Sequence, residues 1–145
     1  MSFAIDVNVL LYASDASSPS SKPARAFLKT CAAGPEVLCL AWPTLASYVR
    51  LATHPAIFSS PLTPDDAEAN VQALLDLPHA RVLAEREGFW EAYRDVTRGL
   101  AVRGNDVPDA WLATILRQND VTTLYTNDRG FRKYTFLRVE NPFDS

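Results

Sequence analysis

The chain has 145 residues, a formal net charge of −3 and 48% apolar side chains. That length supports one core rather than two comfortable domains, so a single domain over residues 1–145 is expected, and the mildly acidic balance excludes a basic nucleic-acid coat protein. No apolar run approaches the ~20 residues of a membrane helix, the start lacks the basic flank and cleavage site of a signal peptide, and Cys31 and Cys39 have neither disulfide-scaffold nor metal-finger spacing, which points to a cytosolic protein with no membrane contact.

The chain opens with "FAID", a brief apolar run ending in an acid, which reads as a buried strand. Asn8 to Ala13 supplies one or two helical turns, and "SDASSPSS" (14–21) is a loop by composition. Lys22 to Ala33 has a helical stripe stopped by Gly34-Pro35. "VLCL" (37–40) is a second strand. Trp42 to Thr53 reads as a helix with Pro43 in its first turn. Thr63-Pro64-Asp65-Asp66 is a helix start: a hydroxyl cap, a proline, then acids against the positive end of the dipole.

Arg81 to Leu83 is a short strand, and Phe89, Tyr93, Val96 and Leu100 define a helix ending near Gly104. Pro108 opens the next helix, with Leu112, Ile115 and Leu116 inward. "TTLYT" and "FLRVE" close the chain as strands. Strands alternating with helices predict an α/β sandwich, three layers around a mainly parallel sheet of about five short strands.

In such sheets, sites form beyond the carboxyl ends of the strands. Asp6 follows the first strand and Asp128 follows "LYT" by two residues, so both belong to one edge. Asp109 falls in the first turn of its helix, on the face of Leu112 and Leu116, where the helix N-terminus favours its ionised form. Each acid alone has a plainer reading as a cap or turn residue. Together they repel one another, and hard oxygens so clustered suit Mg²⁺ or Mn²⁺. Asn8 is placed to orient Asp6 or add a neutral oxygen, and Thr126 to hydrogen-bond Asp128.

The same residues carry a resemblance. "FAIDVNVLLYA", "CLAWPTLASYVRLATHPAIFSSPLT", "VPDAWLATI" and "YTNDRGFRKY" resemble, in order and nearly end to end, the PIN-domain ribonuclease toxins of bacterial toxin–antitoxin pairs. They are most similar to the VapC type, in its mycobacterial-type branch. The resemblance implies a PIN fold, Mg²⁺-dependent RNA cleavage, a homodimer, and inhibition by a cognate VapB-type antitoxin over the site. By position, Asp6 and Asp109 match the principal metal ligands and Asp128 the last acid of the pocket. One position departs: where many members carry a glutamate, this chain has Ser47, with Arg50 one turn on. A second ion is then held weakly or not at all, or Asp106 contributes.

The expected activity is hydrolysis of RNA phosphodiesters by metal-activated water, with Asp6 and Asp109 as ligands and Asp128 ligating directly or through water. No glycine-rich phosphate loop or Ser–His–Asp arrangement competes with this reading, and His54 and His79 stand isolated. Arg50, Arg129, Arg132 and Lys133 are expected to grip RNA, and Trp42, Trp111 or Tyr134 to pack in the core or stack on a base. A tRNA or rRNA loop is the expected substrate. The alternative is a catalytically weakened module that binds its antitoxin or RNA, motivated by Ser47. A phospho-aspartate enzyme is a remote third, because those commonly place a second Asp where this chain has Asn8.

Overall fold

The structure is a computed structural model that describes residues 1–143. Five parallel strands run in the order β3-β2-β1-β4-β5: β1 Ser2–Ile5, β2 Val37–Ala41, β3 Ala80–Leu83, β4 Thr123–Tyr125 and β5 Arg138–Glu140. The helices are α1 Val7–Ser14, α2 Ser21–Ala33, α3 Trp42–Ala52, α4 Pro64–Leu75, α5 Phe89–Thr97 and α6 Asp106–Gln118, with a 3₁₀ turn at Arg129–Lys133.

The period-two alternation of strand side chains divides the core. Phe3, Ile5, Leu38 and Leu40 point to one face and pack with Leu10, Leu45, Tyr48 and Ala67 from α1, α3 and α4. Ala4, Cys39 and Ala41 point to the other and pack with Val96 of α5 and Leu112, Ile115 and Leu116 of α6. Small residues on this second face let α6, whose Ala110 and Ala113 are fully buried, lie close to the sheet. The result is the expected three-layer α/β sandwich, with a sheet that is wholly parallel.

Some boundaries differ from expectation. Helix α6 starts two residues early, at Asp106, so Pro108 is its third residue. A proline fits there because first-turn N–H groups have no partner within the helix anyway. Helix α5 stops at Thr97 instead of reaching Gly104, since Gly99 turns the chain with a φ of 78°. In "FLRVE" only Arg138–Glu140 pair as strand. Leu137 donates its backbone N–H to Tyr134 and belongs to the turn before it.

The chain steps from β1 outward to β2 and β3, then returns to place β4 on the other side of β1. The strand order therefore reverses between β1 and β4, and a crevice opens at their carboxyl ends. Ile5 pairs with Tyr125, and the Asp6 N–H donates to the Tyr125 carbonyl at 3.0 Å. The segments Asp6–Asn8 and Thr126–Asp128 thus leave the sheet side by side. Among the described residues, no helix is long and apolar enough to cross a membrane.

Candidate active site

Asp6 is the N-cap of α1: its Oδ1 accepts the Val7 N–H at 2.7 Å. Its Oδ2 accepts the Thr126 hydroxyl at 2.8 Å and, weakly, the Asn8 amide at 3.5 Å. Capping α1 therefore leaves Asp6 in the wall of the crevice. Only 8% of Asp6 is exposed. Burial raises its pKa most, against the lowering effect of the Thr126 and Val7 hydrogen bonds, and the Asp128 charge raises it further.

Asp109 comes from the first turn of α6 and is half-buried. Its carboxyl is pushed up to about 7, first by burial, then by the charges of Asp6 and Asp128, by contact with the Asp128 carboxyl, and by Asp106. Asp128 is exposed, and its Oδ1 caps the 3₁₀ turn by accepting the Gly130 N–H at 2.8 Å. Acids from the cap of α1, from α6 and from the loop after β4 thus meet closely enough to resist one another's ionisation.

A cavity of about 330 Å³ opens beside Asp6 and Asp109, lined also by Val7, Thr44, Ser47 and Trp111. Ser47 therefore faces the acids with a hydroxyl where a longer acid would add charge. Arg50 is exposed on α3 and is not among the residues lining this cavity. Arg129 and Arg132 flank Asp128 around a small polar cleft that Asn127 and Asn141 also line. Lys133 is exposed nearby, with its ammonium 5.9 Å from the Tyr134 ring centre.

The structure sharpens the expected roles of the residues around the acids. Thr126 hydrogen-bonds Asp128 as expected, accepting its backbone N–H at 3.0 Å, and its hydroxyl also donates to Asp6. Tyr134 offers no stacking face, being 2% exposed. Its hydroxyl is pushed up to about 12 by burial, then by Asp109 and Asp106. Trp111 packs against Phe89 and Tyr93, whereas Trp42 is 51% exposed. The histidines stay apart. His54 Nδ1 accepts the Ala56 N–H, and the His79 ring lies against Gly34.

Sequence reasoning missed Asn127 and Tyr12. Asn127 Oδ1 accepts from Asn8 Nδ2 at 2.6 Å, and Asn127 Nδ2 donates to the Tyr12 hydroxyl at 2.9 Å. The motif "TND" contained the residue but read only as turn chemistry.

The donor set fits a hard divalent cation. It offers carboxylate oxygens, from Asp6, Asp109 and Asp128, under mutual repulsion. Among the described residues, no group of three Asp, Glu, His or Cys side chains is gathered tightly enough to hold an ion alone.

Acids gathered at the switch point of an α/β sandwich are an arrangement that would suit metal-assisted phosphoryl chemistry, and comparison with known proteins narrows the reading. The PIN domain family model matches residues 3–137. Ribonuclease VapC48 of Mycobacterium tuberculosis is 38% identical over 143 residues, covering 99% of both chains. VapC ribonuclease Mb2897 of Mycobacterium bovis is 37% identical over 140 residues, 97% of this chain and 95% of that one. Among solved structures, VapC20 of Mycobacterium tuberculosis, described as a sarcin–ricin loop cleaving toxin, superposes with a TM-score of 0.70 at 16% identity, covering 95% of this chain and 98% of that one. VapBC2 of Rickettsia felis, bound to a promoter DNA fragment, gives 0.68 at 17% identity over 97% and 98%. At those identities the structures speak for the fold alone. The chain belongs to the PIN-domain family, among its VapC ribonucleases.

Proposed function

We infer that this ribonuclease cleaves RNA internally at the Asp6–Asp109–Asp128 crevice as the toxin of a toxin–antitoxin pair, with Mg²⁺ or Mn²⁺ as cofactor. The observation that carries this reading is the convergence of the acids: Asp6 and Asp109 line one cavity, and the β1–β4 pairing brings the segment of Asp128 beside Asp6. Besides burial, Asp109 is pushed up to about 7 by Asp6 and Asp128, which come from distant parts of the chain. Such crowding is unfavourable without a compensating cation.

Asp6 and Asp109 would hold the ion, with Asp128 at its outer side. When bound, the ion supplies a lowered water pKa and charge neutralisation at the scissile phosphate. The chain's residues do the rest. Thr126 and the Val7 N–H fix both oxygens of Asp6. Arg129, Arg132 and Lys133 offer cations to the RNA backbone beside Asp128, and Arg50 offers another from α3. Exposed Trp42 can take a base by stacking. Attack of water on phosphorus with departure of the 3′ oxygen leaves a 5′-phosphate and a 3′-hydroxyl. End analysis of the cleaved RNA tests this. Direct ligation of the 5′ ends without kinase treatment is expected, whereas 2′,3′-cyclic phosphates would overturn it.

The substrate class proposed is a tRNA or rRNA loop, whose unstacked bases can be read by such contacts. The proposed partners are a second copy of the chain and a VapB-type antitoxin. A guanidinium from the antitoxin would match the acidic crevice and displace the cation. The setting proposed is the cytosol, and residues 1–145 act as a single PIN domain. Ser47 in the wall of the cavity favours one second reading, a weakened nuclease that chiefly binds its antitoxin or RNA.

A further inference from the structure

A relay of hydrogen bonds runs from Asp6 to the far end of α1. Its direction is set by the carboxylate, which only accepts. Thr126 must spend its single proton on Asp6 at 2.8 Å, so its oxygen can only accept, and it does so from Asn8 Nδ2 at 3.1 Å. The amide of Asn8 is thereby fixed with its nitrogen toward Thr126 and Asp6, because the reverse orientation would set its oxygen against theirs. The same nitrogen donates to Asn127 Oδ1 at 2.6 Å, which turns the Asn127 nitrogen toward Tyr12 at 2.9 Å. Tyr12 is held in turn by an edge-on contact with Phe143, ring centres 5.4 Å apart.

We propose that Asn127 and Tyr12 are positioning residues for the Asp6 carboxylate, acting through Asn8. The relay ties α1, which carries Asn8 and is capped by Asp6, to the loop that carries Thr126 and Asp128. Without Asn127 the Asn8 amide loses its shortest contact and is free to rotate, and the side of Asp6 facing Thr126 loosens. Tyr12 acts one step further out, its hydroxyl accepting from Asn127 Nδ2 and so holding the amide that Asn8 has oriented. Neither residue touches the reacting atoms. The effect on cleavage rests on the nuclease reading above, but the effect on the side chains does not.

The experiment uses the full chain with Asn127→Ala and Tyr12→Phe, the latter keeping the ring against Phe143. In metal-free protein, NMR exchange of the Asn8 side-chain amide protons is expected to be slow in the wild type and fast in Asn127→Ala. Calorimetric Mn²⁺ binding is expected to weaken about tenfold in Asn127→Ala and about threefold in Tyr12→Phe, the scale on which supporting contacts act. In RNA cleavage, kcat should fall by the same factors with KM unchanged. A wild type that never cleaves would sink the nuclease reading, while the exchange and Mn²⁺ results still decide the relay. Rapid Asn8 exchange in the wild type, or unchanged Mn²⁺ affinity in a folded Asn127→Ala, would overturn the proposal. Tyr12→Phe supplies the same test if the alanine variant melts early.

Discussion

Replacing Asp109 by Asn should abolish cleavage and yet stabilise the metal-free protein. Holding this carboxyl at about 7 instead of 3.8 costs the ionised folded state about 4 kcal/mol. Asp109 is only half-buried, so solvent screening reduces that to about 2 kcal/mol. The sign follows from linkage. A carboxyl raised on folding binds its proton more tightly in the native state, so stability falls as pH rises from about 3.8 to about 7 and levels off above. A neutral amide at this position carries no such penalty. In EDTA at pH 8, the unfolding free energy of Asp109→Asn in urea should therefore exceed that of the wild type by about 2 kcal/mol, or about 5 °C in melting temperature. At pH 4 the difference should shrink to below half of that. Adding Mg²⁺ should raise the stability of the wild type and leave the variant nearly unmoved. A variant no more stable than the wild type at pH 8, or a difference independent of pH, would refute the claim that crowded, buried charge sets the behaviour of Asp109.

Other outcomes follow from the same geometry. Ser47→Glu adds a carboxylate to the cavity that holds Asp6 and Asp109 and should tighten Mn²⁺ binding roughly tenfold, measured by calorimetry. A matching rise in cleavage would mark the natural chain as the weakened form, and equal activity would remove that alternative. Combined loss of Arg132 and Lys133 to Ala should weaken RNA binding uniformly across sequences. It should also flatten the slope of log affinity against log salt by about 1.4, the amount for two single-strand phosphate contacts. An unchanged slope would place the RNA elsewhere.

Asp6 was legible because an acid ending a buried apolar run at the start of a helix has one place to go, the carboxyl edge of the sheet. Asp109 was legible despite a helix start misplaced by two residues, since the stripe through Leu112 and Leu116 fixes its face independently of where the first turn begins. Leu100 misled, because it extends the stripe of Phe89, Tyr93 and Val96 past Gly99, where the backbone leaves the helix. The hydrogen bond between Thr126 and Asp128 was legible from their proximity along the chain, but the second partner of Thr126 was not. Asp128 is two residues away, but Asp6, 120 residues away, takes the proton through the β1–β4 pairing. Asn127 and Tyr12 are separated by 115 residues, and nothing in local pattern or period joins them.

The most direct test of the account is cleavage of total RNA by antitoxin-free protein with added Mg²⁺ or Mn²⁺, comparing the wild type with Asp6→Asn and Asp109→Asn. The account predicts metal-dependent cuts at defined sites that vanish in both variants. Cuts that persist in both, or a folded wild type that cuts no RNA with either metal, would contradict it.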